Sequence, residues 1–215
     1  MKRAKNRKPT TGEEIANAST HAIGSLLAIA GLVLLVVFST SHGTVRHIVS
    51  CSIYGATLWL MFLMSTIYHS LPQGRAKRVL RIFDHCSIYL VIAGTYTPFT
   101  LAVLPPGWGW SLFGVIWGLA LLGIIQKIFF INKWPLLSTI IYILMGWLVI
   151  IASKPLFTQL PLGGSILLVA GGVAYTFGVL FYVLDNKPYL HAVWHFFVLA
   201  GAVCQYLSIF FFVIP

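Results

Sequence analysis

Charged side chains are scarce in this chain: 8% of its 215 residues are charged, and only four are acidic. Hydrophobic residues make up 59%, which excludes a soluble domain with a solvated surface. At about 20 residues per spanning helix, the length allows roughly six to eight membrane spans and no separate soluble domain. The net charge of +10 does not indicate nucleic-acid binding, because the basic residues lie in short gaps between apolar runs.

Cysteine is also rare. Cys51, Cys86 and Cys204 lie inside apolar runs, and no Cys-x-x-Cys pair occurs. This pattern indicates neither a disulfide framework nor a thiolate zinc site. We interpret the three cysteines as small apolar side chains that fill space between helices.

Seven long apolar runs remain when the chain is divided at its Pro, Gly and charge clusters. They cover residues 22–40, 48–71, 82–104, 108–130, 135–153, 163–184 and 189–214. Each run can cross a bilayer as a helix, and none shows the strict alternation of a barrel strand. We predict an all-α integral membrane protein: residues 22–214 form one bundle of seven transmembrane helices, and residues 1–21 form a basic tail with a short lead-in helix.

The basic residues predict the orientation of this bundle. All but two of the 14 Lys and Arg residues fall on one side of the predicted topology, and Arg46 and Lys154 fall on the other. Cytoplasmic loops keep the excess of Lys and Arg. We therefore predict a multi-pass protein of the cytoplasmic (inner) membrane, with the N-terminus in the cytoplasm and the C-terminus outside. This is the reverse of rhodopsin-like receptors, so seven spans imply no G-protein partner.

Ionisable residues inside spans are costly and mark candidate functional sites. Among the acidic residues, Glu13 and Glu14 precede the first apolar run and Asp185 lies in a loop, which leaves Asp84 as the carboxylate within a run. Two of the seven histidines belong to an outer connection and are interpreted as surface residues. Five histidines remain as candidates.

Three pairs of polar residues are spaced four positions apart. They are Asn17 and His21, Ser65 and His69, and His191 and His195. Residues at this spacing lie on one face of a helix, so His191 and His195 can point at a single metal ion.

The predicted topology brings three histidines to one depth. His69 ends the second span, and His191 and His195 begin the seventh; at about 1.5 Å per residue they lie roughly 5 to 10 Å inside the cytoplasmic boundary. Three neutral imidazoles with one open position are typical of a catalytic zinc site. We predict that His69, His191 and His195 bind Zn²⁺.

Asp84 and Ser65 each have two interpretations. Asp84 either occupies the first turn of a helix, where the macrodipole favours a carboxylate, or holds or deprotonates a water at the zinc. Ser65 either hydrogen-bonds that water or the imidazole of His69, or it bonds the carbonyl one turn earlier in its own helix. His85 is rotated by about 100° from Asp84 and is predicted to pack elsewhere.

Asn17 and His21 lie at the start of the first helix. A capping-box spacing from Thr11 to Glu14 predicts where this helix begins. The two residues either close the floor of the metal site, as second-shell groups, or only cap the bundle.

These residues together resemble a known family. Ser65-x-x-x-His69, Asp84 and His191-x-x-x-His195 across seven spans are similar to the haemolysin III and progestin/adiponectin receptor (PAQR) family, whose superfamily includes the alkaline ceramidases. Residues 13–21, 83–99 and 191–201 agree with it, and the short N-terminal segment resembles the bacterial haemolysin III branch. The resemblance implies zinc near the cytoplasmic leaflet, with the Ser65 and Asp84 equivalents beside a bound water.

Three functions follow from this pattern. The first is a zinc-dependent hydrolase of amide-linked membrane lipids, similar to a ceramidase, with Asp84 as general base. The second is a non-enzymatic receptor or membrane-homeostasis protein with structural zinc. The third is a cytolysin of the haemolysin III type, which the uncharged outer halves of the spans disfavour. A transporter is disfavoured because the sequence indicates neither a midplane ionisable site nor broken helices. Membrane lipids are the expected partners, and nucleic acid is not.

Overall fold

The computed structural model describes residues 7–131 and 133–215, which form helices and short connections without any strand. This confirms the all-α prediction. The basic residues Lys2, Arg3 and Lys5 of the predicted tail lie outside the described residues. The α-helices in chain order are α1 Thr11–His42, α2 Val45–Ser70, α3 Arg75–Pro98, α4 Pro106–Phe130, α5 Pro135–Gly146, α6 Ser153–Gln159, α7 Leu162–Val183 and α8 Leu190–Phe212.

Seven segments of the described chain are long and apolar enough to cross a membrane, which confirms the predicted number of spans. Six spans are formed by α1, α2, α3, α4, α7 and α8, with α3 continued by a π-helical turn over Phe99–Val103. The fifth span combines α5, a 3₁₀ turn over Leu148–Ala152, and α6.

This fifth span is broken, contrary to the prediction of one regular helix. Pro155 explains the break, because a proline inside a continuous α-helix would clash with the carbonyl of Ile151 one turn earlier. The side chain of Tyr96 satisfies the backbone groups at the break. Its hydroxyl lies 2.9 Å from the carbonyl oxygens of Met145 and Gly146 and accepts a hydrogen bond from the Val149 amide at 2.8 Å.

The first span and its lead-in form one continuous helix, α1. Thr10, rather than Thr11, caps this helix: its hydroxyl accepts from the Glu13 amide at 3.3 Å, and its own amide donates to the Glu13 carboxylate at 2.9 Å. The capping box therefore lies one residue earlier than predicted. This shift follows from a sequence in which both threonines stand three residues before a glutamate.

The spans differ in how much protein surrounds them. In the most apolar stretch of the third span 61% of residues are buried inside the protein, against 11% in α7. The third span is thus central and α7 peripheral. The start of α1, the end of α2 and the starts of α3 and α8 meet at one end of the bundle, where the candidate site lies.

Candidate metal centre

His69, His191 and His195 come together as the sequence predicted. Each offers one ligand atom, and the three atoms lie within 4.8 Å of one another. His69 belongs to the last turn of α2, and the other two belong to the first two turns of α8. The ring centroids are separated by 4.7 to 5.2 Å. Two helices that are distant in sequence therefore present three imidazoles to one point.

In His69 and His195, one ring nitrogen has a hydrogen-bond partner and the other has none. The Nδ1 atom of His69 lies 2.6 Å from a carboxylate oxygen of Glu14, and Nδ1 of His195 lies 3.2 Å from the Asn17 carbonyl oxygen. The Nε2 atoms of both rings are buried and have no partner. An unpartnered buried imidazole nitrogen is costly, and a metal ion would satisfy both atoms. The donor set fits a zinc ion, since zinc-ligating histidines commonly bond a carboxylate or carbonyl through the other nitrogen.

Asn17 and His21 lie beside the cluster rather than in it. The Asn17 side-chain nitrogen is 3.5 Å from Nδ1 of His69. The ring of His21 stacks on that of His195, with centroids 3.7 Å apart, and meets Phe62 edge-on. Both nitrogens of His21 are buried without a partner. Through these contacts the first helix packs against two of the three candidate ligands, His69 and His195.

Glu14 is a site residue that the sequence analysis missed. One of its oxygens contacts His69, and the other accepts a 2.7 Å hydrogen bond from the Lys77 ammonium. Lys77 is almost fully buried and also donates to the carbonyl of Leu71 at the end of α2. A signal was present in the sequence: Glu14, Asn17 and His21 have the spacing of one helical face. It was overlooked because Glu14 precedes the first apolar run.

The neighbouring Glu13 has different partners. Its carboxylate binds the Arg7 guanidinium and accepts a 3.0 Å hydrogen bond from the Tyr189 amide. Tyr189 has a positive φ of 61° and immediately precedes α8. The pKa of Arg7 is raised from its ordinary value by the hydrogen bond to Glu13. Glu13 thus links the N-terminal segment to the start of the helix that carries two candidate ligands.

Asp84 lies well inside its helix. Since α3 begins at Arg75, Asp84 is its tenth residue, and the interpretation as a first-turn carboxylate is wrong. Its side chain lines the same cavity as His69 and His191. His85 lines this cavity too, with Nδ1 3.4 Å from an Asp84 oxygen, so the prediction that it packs elsewhere is also wrong. The first error came from starting the third span at residue 82, and the second from treating a rotation of about 100° as enough to turn His85 away from the cavity.

Ser65 is buried one helical turn from His69. It is not among the described residues that line the cavity. The two predicted roles of its hydroxyl, toward the metal site or toward its own helix, remain predictions.

A deep internal cavity starts at the candidate metal centre. Its volume is about 660 Å³, within the range of small-molecule sites. On the third span its lining extends from Arg81 to Thr100, roughly 29 Å at 1.5 Å per helical residue. The end near the histidines is polar. The deeper part is lined mainly by apolar and aromatic side chains, among them Ile92, Phe99, Leu112, Leu156, Trp147 and Val198.

Fold and site together define a class: a seven-span helical membrane protein with a three-histidine centre at one end of the bundle. Comparison with known proteins gives the family. The model of the family described as "Haemolysin-III related" matches residues 10–206. This chain belongs to the haemolysin III family, and it is a multi-pass protein of the bacterial cytoplasmic membrane.

Individual relatives agree with this assignment. The chain is 45% identical to Hemolysin-3 of Bacillus cereus over 203 residues, which cover 94% of this chain and 93% of the relative. It is 46% identical to the Hemolysin-3 homolog of Bacillus subtilis (strain 168), covering 94% and 95%. It is 30% identical to the human Monocyte to macrophage differentiation factor, covering 94% and 85%. No solved structure matches the chain significantly.

Proposed function

We propose that this protein binds Zn²⁺ through His69, His191 and His195 and hydrolyses an amide bond of a membrane lipid. The observation that carries the proposal is the convergence of three imidazole ligand atoms within 4.8 Å beside a cavity that also receives Asp84. Three histidines and an open position are the ligand set of catalytic zinc sites, whereas structural sites close all four positions with protein ligands.

The orientation of the bundle decides which leaflet of the membrane contains this site. Arg75, Lys77, Arg78 and Arg81 lie at the same end of the bundle as the three histidines. By the positive-inside rule this end faces the cytoplasm, and the opposite end, with the C-terminus, faces outward. The site then lies near the carbonyl groups of lipids in the inner leaflet.

The protein's own residues have distinct roles in this proposal. Zn²⁺ held by His69, His191 and His195 would supply Lewis acidity and would lower the pKa of water, so that a hydroxide nucleophile is available at neutral pH. Asp84 accepts the proton of the attacking water as general base and returns it to the leaving nitrogen. His85 lies beside Asp84, with its Nδ1 atom 3.4 Å from a carboxylate oxygen. Ser65, one turn from His69, hydrogen-bonds the water or the imidazole.

The cavity supports a lipid as the substrate. Its polar end carries the histidines and Asp84, and its deep part is apolar, so an amphipathic molecule fits with its amide near the histidines and a hydrocarbon chain in the interior. Burial of the chain supplies binding free energy in proportion to the apolar area removed from water. The carboxylate and imidazoles at the other end fix the position of the amide.

A second candidate is a non-enzymatic receptor or membrane-homeostasis protein in which zinc is structural. The observation that favours it is the complete burial of His195 and its stacking on His21, which suit a metal that ties α2 to α8. The relatives named Hemolysin-3 suggest a third candidate, a cytolysin, which predicts leakage from liposomes that contain the purified protein.

Metal analysis and lipid hydrolysis separate these candidates. Mass spectrometry of purified wild type is expected to find about one zinc per chain, and the His191→Ala, His195→Ala double variant is expected to contain only background metal. Zinc-loaded protein in vesicles is then expected to release fatty acid from ceramide-like amides. Wild type without zinc would overturn the zinc site. Full zinc with every tested amide intact, and with lower melting temperature in His195→Ala, would instead support structural zinc.

A further inference from the structure

The first helix provides no candidate metal ligand, yet it contacts two of the three. Glu14 bonds Nδ1 of His69 through its side chain, and Asn17 accepts from Nδ1 of His195 through its backbone carbonyl. His191 differs, because the nearest carboxylate oxygen, on Asp185, is 3.9 Å from its Nδ1. The Glu14 contact is the shortest of the three, at 2.6 Å.

Glu14 is itself held from the opposite side. Lys77 reaches from α3 to the second Glu14 oxygen at 2.7 Å, and it also donates to the Leu71 carbonyl at 2.9 Å. The Lys77 side chain is 6% exposed and that of Glu14 16% exposed, so water screens this pair only weakly. The two contacts of Glu14, with Lys77 and with His69, therefore connect α3, α1 and α2 at the same end of the bundle.

We propose that Glu14, held by Lys77, is a positioning residue that orients His69 and sets the affinity of the metal centre. A carboxylate on Nδ1 keeps the proton on that nitrogen, leaves Nε2 as the ligand atom and makes the imidazole more basic. It also brings a negative charge next to a set of neutral ligands. This inference rests on the proposed zinc site and adds a residue to it.

Zinc affinity of the metal-stripped protein, measured by competition with a chelator, tests this role. Glu14→Gln keeps a hydrogen-bonding side chain and removes the charge, and it is expected to weaken zinc binding by about 10- to 100-fold. The matched control is Glu13→Gln, which removes the same charge one residue away, from a carboxylate bonded to Arg7 and the Tyr189 amide. This control is expected to retain wild-type zinc affinity, because the glutamine oxygen can still accept the hydrogen bond from the Tyr189 amide at the start of α8.

A spectroscopic measurement separates positioning from a loss of stability. Cobalt placed in the site has absorption bands that depend on ligand geometry, and Glu14→Gln is expected to change these bands while circular dichroism shows unchanged helix content. Glu14→Asp, which retains the charge on a shorter side chain, is expected to recover part of the affinity. A merely structural Glu14 would alter melting but leave the cobalt bands of the folded protein unchanged.

The outcomes are distinct. Wild type that binds zinc, with unchanged affinity and cobalt bands in Glu14→Gln, overturns this inference alone. Wild type that binds no zinc overturns the proposed metal site together with this inference. The zinc affinity of Lys77→Met is measured in the same way, and it tests the proposal if Glu14→Gln does not fold. A smaller loss of zinc affinity in that variant supports the role of the Lys77–Glu14 pair, and wild-type affinity contradicts it.

Discussion

The third span and α7 are both apolar enough to cross a membrane, yet their surroundings differ sharply. In the third span 61% of the most apolar stretch is buried by protein, and in α7 only 11% is. The third span carries Asp84, Tyr96 and Thr97, all buried. The α7 side chains that point outward are apolar, such as Val173 and Phe177.

This difference shows how a membrane changes the rule for burial. Apolar side chains are as stable against lipid as against protein, so apolarity alone does not draw a helix to the centre. Polar side chains, in contrast, need partners or a solvated cavity. The span with the polar groups therefore becomes the central one, and predictions can be directed at the central and peripheral positions separately.

The largest effect is expected at the centre, from Asp84→Asn. The amide cannot accept the proton of an attacking water, so turnover of a ceramide-like amide should fall by about 100- to 10,000-fold. The zinc content should stay at the wild-type level, because Asp84 is not among the three ligands. Fatty-acid release and metal content are measured on the same sample. Wild-type turnover in this variant would contradict the role of Asp84 as general base.

A large side chain on α8 can be placed either in the cavity, at Val198, or on the outer surface of the same helix, at Val203. Val198 of α8 lines the cavity, whereas Val203 of the same helix is 42% exposed toward the membrane. Val198→Trp is expected to weaken binding of a long-chain lipid by about tenfold or more, equivalent to about 1.4 kcal/mol. Val203→Trp, the control, should bind the lipid normally. Equal affinities would show that the cavity is not the lipid site.

Glycine positions sharpen the comparison between the two spans directly. A Cβ atom on Gly94 of α3 would lie 2.0 Å from the Thr57 hydroxyl oxygen, whereas on Gly172 of α7 the nearest atom would be 3.6 Å away, on Trp147. Gly94→Ala should destabilise the protein by about 1–3 kcal/mol through overpacking. Gly172→Ala should be close to neutral. Thermal unfolding in detergent measures both, and equal melting temperatures would refute the difference in packing.

Tyr96→Phe tests whether the hydroxyl of Tyr96, in the third span, stabilises the break in the fifth span. Loss of the hydroxyl leaves the Val149 amide and the carbonyls at the break without their partner, at an expected cost of about 1–3 kcal/mol. Hydrogen exchange should increase around residues 146–152. On α7, Val173→Ala, which removes only lipid-facing methyl groups, should change the melting temperature least. Unchanged exchange at the break would mean that other groups satisfy this backbone.

Much of the site could be predicted because its parts follow local rules. The spacing of His191 and His195 fixes their common helical face, and the alternation of span directions brings His69 to the same end. Glu14 and His85 were missed for different reasons. Glu14 belongs to a helix that extends well before its apolar run. His85 was set aside because of its rotation from Asp84, but the cavity is wide enough for both side chains to line it.

The sequence by itself determined the class of this protein, the number of its spans and the three histidines that meet. Hydropathy and helical period are properties of short segments, and they need no knowledge of neighbours. Only the tertiary structure decided the contact of Glu14 with His69, the cavity beyond Asp84 and the support of the fifth span by Tyr96. These features depend on the rotation and spacing of helices far apart in the chain, which long-range packing sets.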